Sequence, residues 1–210
     1  RYGLLVVAPD TSPRDVGIDG ESDRWDLGQG ASYYINATQE PWSGHYHMFD
    51  YVAQELPKLV ESHFGADPAR SSISGHSMGG HGAIMVGLRG SVNYRSISAF
   101  APIASLKNCP WGTRALQTFL GDESEAWSEY DASEVLRSAD RDIPILVDYG
   151  LDDEFLADQL KPELLAAAAQ ERGAKFTCQH HDGYDHSYYF VSSLLGEHFS
   201  FHAKALGLSG

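Results

Sequence analysis

The chain has 210 residues, of which 42% are hydrophobic and 11% aromatic, a composition typical of a globular domain and unlike that of a disordered chain. Its net charge of -14, with only 15 Lys and Arg residues, argues against a nucleic-acid partner, which requires clustered positive charge. Two cysteines do not make a disulfide framework, and neither a membrane-spanning run nor a secretory signal is visible, so we expect a cytoplasmic protein without a membrane partner.

Predicted strands and helices alternate along the chain. Strand-like apolar runs cover residues 4–9, 71–75, 95–102, 143–150 and 175–181. Helical periodicity covers residues 46–64, 78–89, 112–119, 132–138, 155–172 and 188–205. This alternation predicts an α/β fold with a mostly parallel sheet and helices on both faces, and no domain boundary is visible in residues 1–210.

A G-x-S-x-G motif, Gly75-His76-Ser77-Met78-Gly79, lies between a predicted strand and a predicted helix. Such a motif marks a sharp strand-to-helix turn that exposes a nucleophilic serine, and its glycines are expected where a side chain would collide with the turn. The five-residue pattern is weak by itself, but the strand before it and the glycine-rich helix after it favour a serine hydrolase with Ser77 as nucleophile.

A serine nucleophile needs a histidine to accept its proton, and His186 is the candidate. It lies in the loop between the last predicted strand and the last predicted helix, where the α/β-hydrolase order of nucleophile, acid and base places it. His180 and His181 lie within the strand itself and are poorer candidates.

Three carboxylates, Asp152, Asp153 and Glu154, follow the predicted strand over residues 143–150 and could orient that histidine. We favour Asp153, with Asp152 as the alternative. An equally weighted interpretation is that these carboxylates only stabilise the start of the next helix through its dipole.

Two histidine pairs have spacings that could suit a metal: His45 with His47, and His198 with His202. A catalytic zinc site needs three protein ligands, and neither H-E-x-x-H nor paired C-x-x-C motifs accompany these pairs. Gly28-Gln29-Gly30 lacks the third glycine of a dinucleotide-binding motif. We therefore expect neither a metal nor a cofactor.

Seven segments in order resemble the S-formylglutathione hydrolase family, also called esterase D. They are Asp10-Thr11-Ser12-Pro13-Arg14, Asn36-Ala37-Thr38-Gln39-Glu40-Pro41-Trp42, Gly75-His76-Ser77-Met78-Gly79-Gly80-His81-Gly82-Ala83, Ser98-Ala99-Phe100-Ala101-Pro102-Ile103, Cys109-Pro110-Trp111-Gly112, Asp152-Asp153-Glu154-Phe155-Leu156 and Gly183-Tyr184-Asp185-His186-Ser187-Tyr188-Tyr189-Phe190. The resemblance implies an α/β-hydrolase fold and a triad of Ser77, Asp153 and His186. It implies hydrolysis of a small-molecule thioester, S-formylglutathione, to formate and glutathione in formaldehyde detoxification.

Members of this family have further N-terminal strands, one of which leads into a Ser-Gly-Leu-Thr-Cys loop, and these are absent from the 210 residues. We therefore expect an N-terminally incomplete α/β-hydrolase domain. In the sheet, the position between the predicted strands 4–9 and 71–75 would belong to one of the absent strands. The Met78 N–H would supply one oxyanion donor, and the absent loop would supply the second. The upstream segment is predicted to be needed for folding and activity.

Other aspects of the function stay open at this point. Trp111 and Tyr184 are candidates for the wall of a small acyl pocket, although aromatic residues of this kind are more often part of a core. A general carboxylesterase of small acyl esters and a non-catalytic binding protein with the same fold are the alternative functions. A homodimer is compatible with the sequence, which does not define the oligomeric state.

Overall fold

The computed structural model describes residues 2–208 and contains, in these residues, one sheet of four strands. They are β1 (Ile73–His76), β2 (Ile97–Phe100), β3 (Ile145–Gly150) and β4 (Phe176–His181). All neighbouring pairs are parallel and the spatial order is β1-β2-β3-β4. The predicted α/β fold with a parallel sheet is confirmed. Because parallel strands need crossover connections, helices pack against the sheet.

Eight α-helices accompany the strands in the described residues. They are α1 (Met48–Asp50), α2 (Leu56–Phe64), α3 (Met78–Arg89), α4 (Pro110–Leu120), α5 (Glu125–Glu129), α6 (Ala132–Ser138), α7 (Pro162–Arg172) and α8 (Tyr188–Ala205). Short 3₁₀ turns occupy Trp42–Gly44 and Pro68–Arg70, and π turns occupy Tyr51–Glu55 and Leu156–Leu160. The helices predicted over residues 78–89, 132–138 and 188–205 are confirmed, as is a helical stretch within residues 46–64.

The prediction of one helix over residues 155–172 is wrong. The π turn Leu156–Leu160 is separated from α7 by Lys161, whose φ of 50° is left-handed. Pro162 explains the break, because the residue before a proline is sterically disfavoured in the right-handed helical region.

The strand predicted over residues 4–9 is also wrong, because these residues have no regular secondary structure. Leu5, Val6 and Val7 are 58%, 64% and 41% exposed. A strand is stabilised by hydrogen bonds to a neighbouring strand, and within residues 2–208 none lies beside this segment. In the same residues β1 is an edge of the sheet. The additional strand expected beside β1, from the family's upstream segment, stays a prediction.

The strand register sorts the side chains between two faces of the sheet. One row, Ile73, Ile97 and Ile145, packs on the α3 side, where a Cβ on Gly87 would lie only 2.6 Å from Ile97 Cδ1. The helix therefore approaches the sheet closely at Gly87. The opposite face, which α8 covers, carries Ser98 and Asp148 instead.

Candidate active site

Ser77 occupies a strained turn between the end of β1 and the first residue of α3. Its φ of 57° and ψ of -118° are rare for a residue with a side chain. The Ser77 N–H donates to the Phe100 carbonyl at 2.8 Å, and the Ser77 carbonyl accepts from the His81 N–H at 3.0 Å. The predicted strand-to-helix turn at the motif is confirmed, and the backbone bonds hold it from both sides.

The two glycines of the motif differ in their steric role. A Cβ on Gly75 would lie 2.0 Å from the Gly79 carbonyl oxygen, so no larger residue fits there. A Cβ on Gly79 would lie 3.6 Å from the Tyr34 hydroxyl, an ordinary contact. The expectation that a side chain would collide is therefore right for Gly75 and wrong for Gly79. Gly80 and Gly82 of α3 are also restricted, since their Cβ atoms would lie 3.0 Å from Pro102 Cβ and 2.3 Å from the Tyr34 ring.

His186 and Asp153 lie on the loops that follow β4 and β3, and they are hydrogen-bonded. His186 Nδ1 donates to Asp153 Oδ2 at 2.5 Å, and Asp153 Oδ1 accepts from the Phe155 N–H at 2.8 Å. The Asp153 side chain is fully buried, whereas Asp152 and Glu154 are exposed. A carboxylate on Nδ1 fixes the tautomer that leaves Nε2 of His186 free to accept a proton.

The ring of His76, the residue before Ser77, contacts the ring of His186 in a tilted arrangement with centroids 4.5 Å apart. This contact places His186 beside the strained turn. Burial, with a smaller effect of His186, lowers the pKa of His76 to about 4, so His76 is neutral near pH 7. Within the described residues the buried Nε2 of His76 has no hydrogen-bond partner. Sequence reasoning gave His76 no role, because its ring contact depends on a residue 110 positions away.

An open cleft of about 640 Å³ lies on the side of His186 that faces α8. Its lining residues are His76, His186, Ser187, Tyr188, Tyr189 and Ser192. Tyr188 and Tyr189 are 80% and 84% exposed, so the cleft is accessible to a small molecule.

The two predicted pocket residues lie in different surroundings. Trp111, near the start of α4, contacts Trp25 at 5.0 Å and Phe155 at 4.9 Å between ring centroids. Phe155 in turn lies edge-on to His186 at 5.1 Å, so an aromatic row leads from Trp25 to the histidine. Tyr184 contacts the buried Phe190 of α8 at 5.7 Å instead. Trp25 and Phe155 were missed because no spacing in the sequence relates them.

The Met78 N–H is the first of α3, and the first N–H groups of a helix have no acceptor within it. The helix dipole adds positive potential at the same point, which suits an oxyanion. The Met78 side chain holds the preceding loop, since its Sδ accepts from the Tyr33 N–H at 3.3 Å.

In residues 2–208, no three His, Cys, Asp or Glu side chains are grouped so that they could hold a metal ion. Over the same residues, every helix is too short or too polar to cross a lipid bilayer.

The serine is strained at a strand-to-helix turn, and a histidine paired with a carboxylate contacts the residue before it. These features define the class as α/β-hydrolase. The family model described as "Putative esterase" matches residues 1–201. A solved S-formylglutathione hydrolase from Agrobacterium tumefaciens is 45% identical, covers 98% of this chain and 74% of its own, and superposes with a TM-score of 0.93. The chain belongs to the S-formylglutathione hydrolase family of esterases, which confirms the resemblance in the sequence.

Two more distant structures share the fold alone. A fluorophosphonate-binding serine hydrolase from Staphylococcus aureus is 21% identical, with coverage of 82% of this chain and 68% of its own and a TM-score of 0.66. An S-formylglutathione hydrolase from the same organism is 18% identical, with coverage of 81% and 68% and a TM-score of 0.64.

Proposed function

We propose that the protein hydrolyses the thioester S-formylglutathione to formate and glutathione through a formyl-serine intermediate. The observation that carries this proposal is the 45% identity to the Agrobacterium tumefaciens S-formylglutathione hydrolase over 98% of the chain. The strained Ser77 and the His186–Asp153 hydrogen bond support the same chemistry.

In the proposed acylation step, Ser77 Oγ attacks the thioester carbonyl carbon while its proton moves to His186 Nε2. Asp153 stabilises the imidazolium that forms, through the hydrogen bond to Nδ1. The Met78 N–H and a second donor hold the oxyanion. When the C–S bond breaks, the sulfur of glutathione takes the proton from His186, and the formyl group stays on Ser77.

In the proposed deacylation step, His186 removes a proton from water, and the resulting hydroxide attacks the formyl carbon. The ester bond to Ser77 breaks, and His186 returns its proton to Oγ. Formic acid leaves and gives its proton to the solvent to become formate, and Ser77 and His186 regain their starting protonation. Neither proposed step uses a cofactor.

Trp111 and Tyr184 are the proposed substrate contacts. The aromatic row through Phe155 to His186 supports Trp111 as part of the pocket wall. The contact between Tyr184 and the buried Phe190 supports a packing role for Tyr184, and its binding role stays a prediction of the sequence.

We propose that the enzyme acts in formaldehyde detoxification in the cytoplasm. Both cysteines, the buried Cys109 and the exposed Cys178, are free thiols, which supports a reducing compartment. A homodimer stays a prediction of the sequence.

The test compares kcat/KM of the purified full-length protein for S-formylglutathione and for p-nitrophenyl acetate. We expect the thioester to be preferred. A wide preference for the ester would contradict the proposal and indicate a general carboxylesterase of small acyl esters. The matched control is Ser77→Ala, which should lose both activities with an unchanged circular dichroism spectrum. A folded wild-type protein without either activity would indicate a non-catalytic binding protein.

A further inference from the structure

A buried carboxylate, Asp148 of β3, lies on the face of the sheet under α8. Asp148 is 1% exposed, and each of its two carboxylate oxygens accepts a hydrogen bond from a histidine. Oδ1 accepts from His181 Nε2 at 2.6 Å, and Oδ2 accepts from His198 Nε2 at 3.0 Å. In the sequence, His198 is a candidate metal ligand and His181 lies in a predicted strand. Neither residue takes part in the proposed reaction.

The hydrogen bonds continue from His198 across the sheet. His198 Nδ1 and His202 Nε2 each lie 2.8 Å from Ser98 Oγ, and His202 Nδ1 lies 2.8 Å from Ser96 Oγ. Since Asp148 can only accept, His198 donates through Nε2. His198 Nδ1 can then accept from Ser98, and Ser98 can accept from His202. One arrangement of protons therefore satisfies every member.

The two histidines on Asp148 flank the loop that carries His186. His181 is the last residue of β4, and His198 lies in α8, which begins two residues after His186. The loop over residues 182–187 thus leaves one histidine bound to Asp148 and enters the helix that holds the other. Asp148 itself is on β3, which leads into the loop with Asp153. A single carboxylate connects the three segments that bring Asp153 and His186 together.

Stability alone is a poor reason for this arrangement. A buried charged group loses its hydration, and replacing buried ionic groups with apolar residues of similar volume is often neutral or stabilising. A paired carboxylate instead fixes the geometry of its partners, because each oxygen holds one imidazole ring at one distance and angle. Such groups are expected where the position of an attached segment matters.

We propose that Asp148 is a positioning residue for His186: by holding His181 and His198 on either side of the loop, it sets the position of His186 Nε2 relative to Ser77. The inference rests on the proposed role of His186 as the base. Displacing a catalytic group by about 1 Å can reduce the rate about a hundredfold, so a loosened loop should lower kcat.

Several titratable groups surround Asp148 and His186. Asp148 is faced by His181 from β4 and by His198 from α8. The Cys178 thiol lies on the opposite face of β4, and burial, with a smaller effect of Asp148, raises its pKa to about 11. His186 is faced by Asp153, by His76 from β1 and by Asp185 on its own loop. Variants should therefore be compared at one pH near 7.5, where Cys178 stays protonated.

The main test is Asp148→Asn, assayed with p-nitrophenyl acetate and by proton NMR. The asparagine keeps the shape but accepts from only one histidine. We expect kcat to fall about tenfold to a hundredfold with KM changed less than twofold, and the deshielded proton on His186 Nδ1 to shift or broaden. The matched control is Ala203→Gly, a buried residue of the same helix that lies outside the hydrogen-bonded network. It should lower the melting temperature and leave kcat and the proton signal unchanged.

A second variant pair keeps the test valid if Asp148→Asn does not fold. His181→Gln removes one hydrogen bond at a partly exposed side chain, and His180→Gln changes the exposed neighbour outside the network. We expect His181→Gln to lower kcat about fivefold or more and His180→Gln to leave it unchanged.

Folded Asp148→Asn and His181→Gln variants with wild-type kcat and an unshifted His186 signal would overturn the inference. The NMR signal needs no substrate, so it separates this inference from the proposed function. If the wild type did not hydrolyse S-formylglutathione, a signal that shifted in Asp148→Asn but not in Ala203→Gly would still support positioning by Asp148. An equal shift in both variants would refute it.

Discussion

The face of the sheet under α3 is lined by aliphatic side chains, whereas the polar face under α8 carries serines and an aspartate that are hydrogen-bonded to two histidines of α8. Ile97 and Val147 on the first face are fully buried and need only matching shape. Asp148 and Ser98 on the second are as deeply buried but each needs specific partners. The first face supplies stability through apolar burial, and the second fixes positions around the His186 loop.

The largest expected effect on stability tests the apolar face. Ile97→Ala removes a buried side chain beneath Gly87 and should lower the free energy of unfolding by about 2–5 kcal/mol. Because this face does not hold the His186 loop, kcat should stay within about twofold of the wild type. Chemical denaturation and steady-state assays measure the two quantities.

Ile97→Val is the matched control and should cost about 0.5–1.5 kcal/mol. A large loss of kcat in either folded variant would show that the apolar face also positions the site.

A smaller effect, at acidic pH, tests the polar face. Burial lowers the pKa of His202 from 6.5 to about 4, with His198 as a further cause. Since the unfolded chain takes up a proton near pH 6.5 and the folded chain does not, stability is full above that pH and is lost as pH falls towards 4. The difference of about 2.5 pH units corresponds to about 3 kcal/mol.

Denaturation of the wild type and of His202→Gln at several pH values between 7.5 and 4.5 measures this contribution. His76, whose pKa is also lowered to about 4, adds a similar slope in both proteins. The variant should therefore lose part of the pH dependence and not all of it. Equal slopes for the two proteins would contradict a neutral, buried His202.

Sequence patterns predicted the parts of the molecule that depend on neighbours along the chain. Helices α3 and α8, the turn at Ser77 and the loop of His186 have local signatures in periodicity and in the G-x-S-x-G motif. The strand expected at residues 4–9 failed because pairing depends on a neighbouring strand and not on its own apolar residues. The helix expected at residues 155–172 failed at Pro162, whose effect the apolar periodicity concealed.

The hydrogen-bonded network around Asp148 could not be predicted from the sequence, for a different reason. His198 and His202 have the i, i+4 spacing of metal ligands, and sequence reasoning tested them only for that role. Their actual partners, Ser98 and Asp148, lie 100 and 50 positions from His198. A serine in a strand and a histidine in a helix carry no local sign that they meet across a sheet.

The most direct test of the account is covalent labelling with a fluorophosphonate, followed by mass spectrometry of the peptides. We predict that one label forms, on Ser77, that Ser77→Ala takes up none, and that His186→Asn takes it up much more slowly. Labelling of a different residue, or undiminished labelling of Ser77→Ala, would contradict the assignment of Ser77 as the nucleophile.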